Sequence, residues 1–268
     1  MKAVILARGL GKRMREADTA ASIDAQQATV ADQGIKAMIP VGRPFLDYVL
    51  SALADAECRD VCLVIGPEHT AVREYYERPG LLHRVHVSFA IQERPLGTAD
   101  AILAAERFAG EDRFLVMNAD NYYPVAAYSA LREMNEPGLI AFGRDALLAD
   151  GLISPERIMR FALLDIGDDG YLQRIVEKPD DATARAMSQT AFVSMNVWAF
   201  DKQIFEPCRT VRPSPRGELE LPVAVQHAID DYQQRFRAFP MDAPVLDMSS
   251  RADIAGVGRR LADVDVRL

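Results

Sequence analysis

Residues 2–14 have the sequence KAVILARGLGKRM, and they decide how the rest of the chain is interpreted. The apolar run 3–7 predicts a short buried strand. Gly9 and Gly11 follow directly, so the backbone there can turn tightly and lie close to a ligand. Two basic residues come next. Backbone N–H groups at such a turn bind phosphate oxygens and cations offset their charge, so the stretch predicts a phosphate-binding loop.

The spacing of this loop does not fit two common nucleotide-binding motifs. A P-loop has four residues between its glycines, then Lys followed by Ser or Thr. Here a single residue separates Gly9 from Gly11. A dinucleotide-binding fingerprint has a third glycine three positions after the second, and that position is Met14. Segments further along the chain must therefore indicate what the loop binds.

Length and composition indicate a globular α/β protein. The 268 residues are enough for one sizeable core, with 49% hydrophobic and 26% charged residues. The net charge of −8 argues against binding to nucleic acid or to a membrane surface. No apolar run approaches the roughly 18 residues of a membrane-spanning helix, and the opening lacks a signal-peptide pattern. The three cysteines lack metal-ligand spacing, which indicates buried free thiols in the cytoplasm.

Helices and strands alternate through the first half of the chain, which predicts a parallel sheet covered on both faces. Besides the opening strand, predicted strands are 61–66, 85–91, 114–117 and 139–142, and predicted helices lie within 16–34 and at 44–53, 68–77 and 98–108. The pattern then changes to a hairpin at 160–176, a strand at 191–200, a helix at 218–230 and a short strand at 245–247 before a last helix. We expect one domain, 1–268, in which the half 146–268 closes a pocket against the half 1–145.

Several segments, in this order, resemble the motifs of the sugar-1-phosphate nucleotidyltransferases, the nucleotide-sugar pyrophosphorylases. They are Gly9-x-Gly11-x-Arg13-Met14, KAMIPV at 36–41, QERPLGTA at 92–99, Asp120-Asn121 after a strand, EKP at 177–179, RGELE at 216–220, and Leu246-Asp247 before the last helix. The resemblance covers nearly the whole chain and is to the glucose-1-phosphate thymidylyl- and uridylyltransferase type. It implies a three-layer, Rossmann-like nucleotide-diphospho-sugar transferase fold, α/β, with a mixed, mostly parallel central sheet.

The resemblance also implies a reaction. A nucleotidyl group passes from a nucleoside triphosphate to a sugar 1-phosphate, giving a nucleotide-sugar and pyrophosphate, with UTP or dTTP as the expected donor. The attacking group is a phosphate oxygen that is already anionic, so the reaction needs cations and in-line positioning rather than a general base. The sequence agrees, because it contains no nucleophile–base pattern and its four histidines are scattered.

The site residues implied by the resemblance fall into four groups. Arg13 and Lys36 are the catalytic cations on the triphosphate. The nucleotide-binding residues are Ala7, Gly9, Gly11, Gln92, Gly97 and Thr98, with Gln92 on the base. Glu177, Lys178 and Asn196 bind the sugar phosphate. Asp120 and Asp247 bind Mg²⁺, a hard cation that suits carboxylates and triphosphate oxygens.

Some positions depart from the family pattern. Arg8 stands where the family usually has Ala or Gly, Lys12 replaces Thr, and Phe161-Ala162 replaces Tyr-Gly. These departures leave the base and the sugar open. The segments 16–34 and 146–159 are also long, and we hypothesise that 16–34 is a lid over the triphosphate.

Two other functions stay open at this point. One is a catalytically silent nucleotide-sugar sensor or regulatory subunit on the same fold, although Arg13, Lys36, Asp120 and Asp247 together favour an enzyme. The other is a cytidylyltransferase acting on a non-sugar phosphate, against which Glu177-Lys178-Pro179 speaks. The oligomeric state is open as well, a homo-oligomer included.

Overall fold

The computed structural model describes residues 1–187, 192–214 and 216–268. The strands are β1 Lys2–Leu6, β2 Asp60–Ile65, β3 His86–Ile91, β4 Phe114–Asn118, β5 Asn121–Tyr122, β6 Gly138–Phe142, β7 Ala162–Ile166, β8 Leu172–Val176, β9 Phe192–Ser194, β10 Val197–Phe200, β11 Arg237–Met241 and β12 Leu246–Asp247. The α-helices are α1 Lys12–Arg15, α2 Ala25–Gln33, α3 Phe45–Asp55, α4 Thr70–Tyr76, α5 Thr98–Ala104, α6 Glu106–Ala109, α7 Val125–Glu133, α8 Arg144–Leu148, α9 Pro155–Ile158, α10 Asp181–Met187, α11 Phe205–Thr210, α12 Leu221–Tyr232 and α13 Arg251–Leu261. Short 3₁₀ turns lie at Lys36–Met38 and Lys202–Ile204.

Strands from both halves of the chain form one mixed sheet. Its order is β3-β2-β1-β4-β10-β6-β9-β7-β8, and β11 pairs with β6. Strands β1 to β4 and the pair β6–β11 are parallel, while β8, β9 and β10 run against the others. Strand β10 lies between β4 and β6, so the second half is inserted into the sheet of the first. A separate short ribbon pairs β5 with β12.

The two faces of the sheet build two apolar cores. In β1, Ala3 and Ile5 point into one core and Val4 and Leu6 into the other, as strand alternation requires. Helices α3, α7 and α13 cover the first core, and α5, α11 and α12 cover the second. The expected three-layer α/β architecture with a mixed, mostly parallel sheet is therefore confirmed.

Three predicted elements differ from the structure. The strand predicted at 191–200 is two strands, because Asn196 adopts a left-handed conformation with φ of 59° and breaks the ladder; Ala191 lies outside the described residues. The helix predicted at 98–108 is interrupted at Ala105. The helix within 16–34 begins at Ala25, because Asp24 forms a reciprocal capping box with Gln27.

Two further expectations concern membranes and thiols. Within the described ranges, no helix is both long and apolar enough to span a membrane. Cys58, Cys62 and Cys208 are buried and unpaired, as expected. Burial raises the pKa of Cys62 to about 11 and that of Cys208 to about 12, so both remain neutral thiols.

Candidate active site

A cavity of about 540 Å³ opens at the carboxyl ends of β1, β3 and β4, and residues of the second half close its far side. This is the edge at which open α/β sheets bind ligands. Every predicted site residue except Asp247 lines the cavity. The predicted nucleotide, cation and sugar residues, which lie up to 189 positions apart in the chain (Ala7 and Asn196), are thus brought together.

The two loop glycines serve different purposes. A Cβ atom on Gly9 would meet nothing within 4 Å, so Gly9 leaves open space in the cavity wall. Gly11 has φ of 60°, and a Cβ atom there would lie 2.2 Å from the backbone oxygen of Gly34. Gly9 therefore provides room for a ligand, whereas Gly11 provides room for the end of α2.

Ala7 and Thr98 line the cavity wall, and each uses a polar group in a hydrogen bond within the protein. The Ala7 N–H donates to the Val64 carbonyl at 2.9 Å, which extends the pairing of β1 with β2. The Thr98 hydroxyl accepts from the Leu221 N–H at 2.8 Å and so fixes the start of α12. The hydroxyl proton of Thr98 is still able to donate to a ligand.

Gln92 occupies the end of the cavity beside β3 and is 4% exposed. Its side-chain amide donates to the Gly97 carbonyl at 3.0 Å and to the Asp100 carboxylate at 2.7 Å. Both partners accept only, so they determine which end of the amide is the nitrogen. Gly97 has φ of 128°, and a Cβ atom there would lie 2.4 Å from the Leu219 carbonyl oxygen. Only glycine allows this close contact.

Cations and a carboxylate meet at the opposite end of the cavity. Lys36 Nζ lies 2.8 Å from Asp120 Oδ2, and both side chains are partly exposed, at 17% and 22%. The Arg13 guanidinium lies on the same wall and donates to Ser249 Oγ at 3.4 Å. The Asp120 backbone carbonyl accepts from the Met248 N–H at 2.8 Å, which joins this end to β12. The arrangement suits a polyphosphate with a bound metal ion.

Asp247 lies beneath this wall rather than on it. Its side chain is 4% exposed and forms an ion pair with Arg157, which also binds Asp253. Ser249 Oγ lies 3.0 Å from both Asp247 carboxylate oxygens, and Asn121 Nδ2 donates to Oδ1 at 3.2 Å. Burial raises the pKa of Asp247, and the adjacent Arg157 opposes that shift. All four contacts would compete with a metal ion for this carboxylate.

Irregular backbone presents the predicted sugar residues. Lys178 has φ of 46° and Asn196 has φ of 59°, both in the left-handed region that non-glycine residues rarely adopt. The left-handed backbone at Lys178 lets Glu177 and Lys178, which are neighbours in the chain, line the same cavity. Lys178 Nζ lies 3.5 Å from Glu177 Oε1, and burial raises the pKa of Glu177 to about 7. The Asn196 Oδ1 atom is buried with no donor in the described part of the chain.

The sequence profile of the nucleotidyl transferases matches residues 2–243. The chain belongs to this family. It is similar to two enzymes named glucose-1-phosphate thymidylyltransferase: one from Streptomyces griseus is 32% identical over 86% of the chain, and one from Streptomyces antibioticus is 28% identical over 100%. The chain spans 58% and 68% of the lengths of these two relatives.

Solved structures show the same fold. A UDP-glucose pyrophosphorylase in complex with UDP-glucose superimposes with a TM-score of 0.75 over 98% of this chain and 99% of that one, at 16% identity. At that identity the likeness concerns the fold of the nucleotidyl transferases and not the ligand.

Further residues that were not predicted as site residues line the cavity, and three of them are charged and close together in the chain. Arg216, Glu218 and Glu220 line the cavity, and Arg216 forms ion pairs with both carboxylates. They belong to the RGELE segment, which the resemblance assigns to a helix entry. The signal was three charged residues within five positions, directly before an apolar helix.

The segment 16–34 does not line the cavity of this nucleotidyl transferase. Helix α2 instead packs beside the loop, where Arg15 Nη2 donates to the Gln33 carbonyl at 2.7 Å and Gln27 Nε2 to the Pro40 carbonyl at 2.8 Å. Arg251 of α13 donates to the Met14 carbonyl at 2.9 Å. These contacts support the outer side of the loop. The position of the segment 16–34 therefore does not support the hypothesis that it is a lid over the triphosphate.

Proposed function

We propose that this chain transfers a nucleotidyl group from a nucleoside triphosphate to a sugar 1-phosphate, with release of pyrophosphate. The observation that carries the proposal is the composition of one cavity. Arg13, Lys36 and Asp120 lie on its first-half wall, while Glu177 and Lys178 face them from the second half. Such a site can hold two phosphorylated ligands at once.

The chemistry needs no proton transfer by the protein. An oxygen of the sugar 1-phosphate attacks the α-phosphorus of the triphosphate, and a new P–O bond forms. The bond from that phosphorus to the oxygen that bridges to the β-phosphate breaks, and pyrophosphate leaves with the electron pair. Because two anions must approach each other, positive charge at the reacting groups is the main requirement.

The cations of the cavity are assigned by position. Arg13 is exposed at the loop, where its planar guanidinium can bind two phosphate oxygens at once and stabilise the departing pyrophosphate. Lys36 is partly buried beside Asp120, so its ammonium group acts as a point charge at the α-phosphate. Gly9 leaves the space through which the triphosphate approaches the backbone.

The sugar phosphate lies against the second half. The Lys178 ammonium neutralises the 1-phosphate. With a pKa of about 7, Glu177 is partly protonated at neutral pH, so it can both donate to and accept from ring hydroxyl groups. The buried Asn196 Oδ1 atom lacks a donor in the described ranges, and a sugar hydroxyl would provide one.

We propose Mg²⁺ as the metal cofactor. Asp120 fits this role, because its carboxylate is partly exposed on the cavity wall and, among the described residues, pairs with Lys36 only. Asp247 fits only after Arg157 releases it. When bound, Mg²⁺ would neutralise triphosphate oxygens and polarise the α-phosphate. We further propose that the chain acts as a single domain in the cytoplasm, where its three buried thiols stay reduced.

A pyrophosphate-release screen tests the proposed function. Five nucleoside triphosphates (UTP, dTTP, GTP, CTP and ATP) are paired with a panel of sugar 1-phosphates in the presence of Mg²⁺. Release that requires both substrates, with formation of the nucleotide-sugar, supports the proposal. Nucleotide-sugar binding without release from any pair would support the silent sensor instead, and release with CTP and a non-sugar phosphate would support the third function.

Replacing Asp120 by Asn should abolish turnover while the protein stays folded. The change keeps the shape of the side chain but removes the charge that pairs with Lys36 and that would bind Mg²⁺. We expect a fall of about 100-fold or more in kcat, equivalent to roughly 3 kcal/mol of transition-state stabilisation. Asp112→Asn, at an exposed ion pair with Lys2, is the matched control and should retain turnover. Retained activity in Asp120→Asn would remove Asp120 from the metal site.

A further inference from the structure

Arg8 is a buried cation in the cavity wall with unused hydrogen-bond donors. The residue is 8% exposed, and its Nη2 atom donates to the Glu68 carboxylate at 3.1 and 3.2 Å and to the Glu93 carbonyl at 3.3 Å. Its Nε and Nη1 atoms are buried and have no acceptor among the described residues. A guanidinium has five N–H donors, so three are left without a partner. Leaving buried donors unpaired is unfavourable, and a ligand acceptor would relieve it.

The fold makes room for this side chain. The guanidinium lies against Gly66 at the end of β2, where a Cβ atom would be 2.4 Å from Arg8 Nε. Glu68 holds the other side, and its side chain is 52% exposed. Gly66 and Glu68 therefore form a built recess for Arg8.

The position of Arg8 indicates which part of the nucleotide it contacts. Its Nη2 atom reaches the carbonyl of Glu93, the residue directly after Gln92, so it lies at the β3 end of the cavity. Lys36 and Asp120 lie at the β4 end. Since the triphosphate belongs with those charges, Arg8 lies at the end that remains for the base.

Gln92 complements Arg8 because it can only accept. Both hydrogens of its amide are used by the Gly97 carbonyl and the Asp100 carboxylate. Toward a ligand, Gln92 thus offers its Oε1 oxygen, which requires a donor. Arg8 offers N–H groups, which require an acceptor. Together they match a base edge that has a carbonyl oxygen next to a ring N–H.

We propose that Arg8 is a specificity residue that, with Gln92, selects nucleotides with such a keto edge. Uracil and thymine have it at O4 and N3–H, and guanine has it at O6 and N1–H. Cytosine and adenine have an amino group and an unprotonated ring nitrogen at the same places, so both contacts would be reversed. A site built for hydrogen bonds rejects a ligand that leaves its polar groups unpaired.

This inference takes from the proposed function that the ligand is a nucleoside triphosphate, and its test uses binding without turnover. Isothermal titration calorimetry measures the affinity of UTP, dTTP, GTP, CTP and ATP for the wild-type protein with Mg²⁺ and no sugar phosphate. We expect UTP to bind at least about tenfold more tightly than CTP, or GTP than ATP. The two pairs distinguish a pyrimidine site from a purine site. A ratio below threefold in both pairs overturns the inference.

Arg8→Met should reduce the affinity ratio of the preferred pair (UTP over CTP, or GTP over ATP) to threefold or less, mainly because the keto nucleotide binds more weakly. Arg8→Gly, with a residue usual for the family at this position, should do the same and serves if Arg8→Met does not fold. Lys12 is the other loop cation that differs from the family pattern, and Lys12→Met should weaken the binding of all five nucleotides by one common factor. If either Arg8 variant folds and keeps the wild-type ratio, Arg8 has only a structural role.

A measurement on the wild-type protein removes any dependence on variant folding. 4-Thiouridine triphosphate has a sulfur, a poor acceptor, in place of O4, and should bind several-fold more weakly than UTP if the site takes pyrimidines; 6-thioguanosine triphosphate tests the purine case. Equal affinities overturn the inference. A wild-type protein with the keto preference that releases no pyrophosphate would contradict the proposed function and leave this inference in place. Pyrophosphate release at equal rates from all five nucleotides would support the proposed function and overturn this inference.

Discussion

At the scale of the residue, Glu177 couples stability to pH. Burial raises its pKa from 4.5 to about 7, with Arg216 opposing the shift and Glu218 adding to it. Between these two pH values the folded state binds more protons than the unfolded state, so this group makes stability fall as pH rises. The loss is complete above pH 7 and amounts to at most about 3 kcal/mol.

Glu177→Gln should remove this loss, because a neutral amide does not ionise. In urea unfolding, the variant should resemble the wild-type protein at pH 5 and be more stable at pH 8, by about 1–3 kcal/mol. Glu111→Gln is the control, since the Glu111 side chain is 80% exposed. An equal difference between Glu177→Gln and wild type at both pH values would contradict the raised pKa.

The sequence indicated which residues line the candidate cavity better than it indicated their surroundings. Glu177-Lys178-Pro179 was recognisable as a motif, but the pKa of Glu177 also responds to the charges of Arg216 and Glu218, which are about 40 positions away. Asp247 was expected on the cavity wall and instead lies under Arg157, a residue that no motif marks. Contacts between distant residues depend on tertiary packing, which a local pattern does not encode.

At the scale of the element, the two glycines of the turn from β1 into α1 have different roles: Gly9 borders the ligand cavity, and Gly11 packs against the end of α2. Gly9→Ala adds a methyl group to open cavity space, so the variant should fold normally and bind triphosphate more weakly, by about tenfold. Gly11→Ala places a methyl group 2.2 Å from the Gly34 oxygen at a positive φ. It should lower the free energy of unfolding by about 1–3 kcal/mol. Calorimetry and urea unfolding measure the two effects, and equal loss of stability in both variants would contradict the distinction.

Most strands of the first half were predictable because a buried parallel strand is a short apolar run. Asp60–Ile65 and Phe114–Asn118 are of this kind and were found within one residue. The second half contains the break at Asn196, where a left-handed residue interrupts an otherwise apolar run. Asparagine is one of the few non-glycine residues that adopt this conformation readily, so Asn196 permits the break. An asparagine in an apolar run does not by itself predict such a break.

At the scale of the whole molecule, the order of strands could not be read from the sequence. Strand β10 from the second half pairs with both β4 and β6 of the first, and β11 pairs with β6. The cavity therefore exists only when both halves are folded. Arg157 on α9 binds Asp247 on β12 and Asp253 on α13, all within the second half. The same elements contact the first half, where Asn121 donates to Asp247 and the Met14 carbonyl on α1 accepts from Arg251 on α13.

Removing Arg157 should therefore destabilise the whole molecule. Its side chain is 15% exposed, and those of Asp247 and Asp253 are 4% and 11% exposed. Arg157→Met would leave two buried carboxylates without their cation, at a cost on the order of 3–5 kcal/mol in urea unfolding. Arg260→Met removes an ion pair to Asp150 in the same segment, but Arg260 is 49% exposed, so we expect a loss of about 0–1 kcal/mol.

If Mg²⁺ can occupy Asp247 once Arg157 is gone, millimolar Mg²⁺ should restore part of the stability of Arg157→Met and change that of Arg260→Met little. Equal losses in the two variants would show that the Arg157 ion pairs do not stabilise the fold, and a loss in Arg157→Met that Mg²⁺ leaves unchanged would argue against Asp247 as a metal ligand.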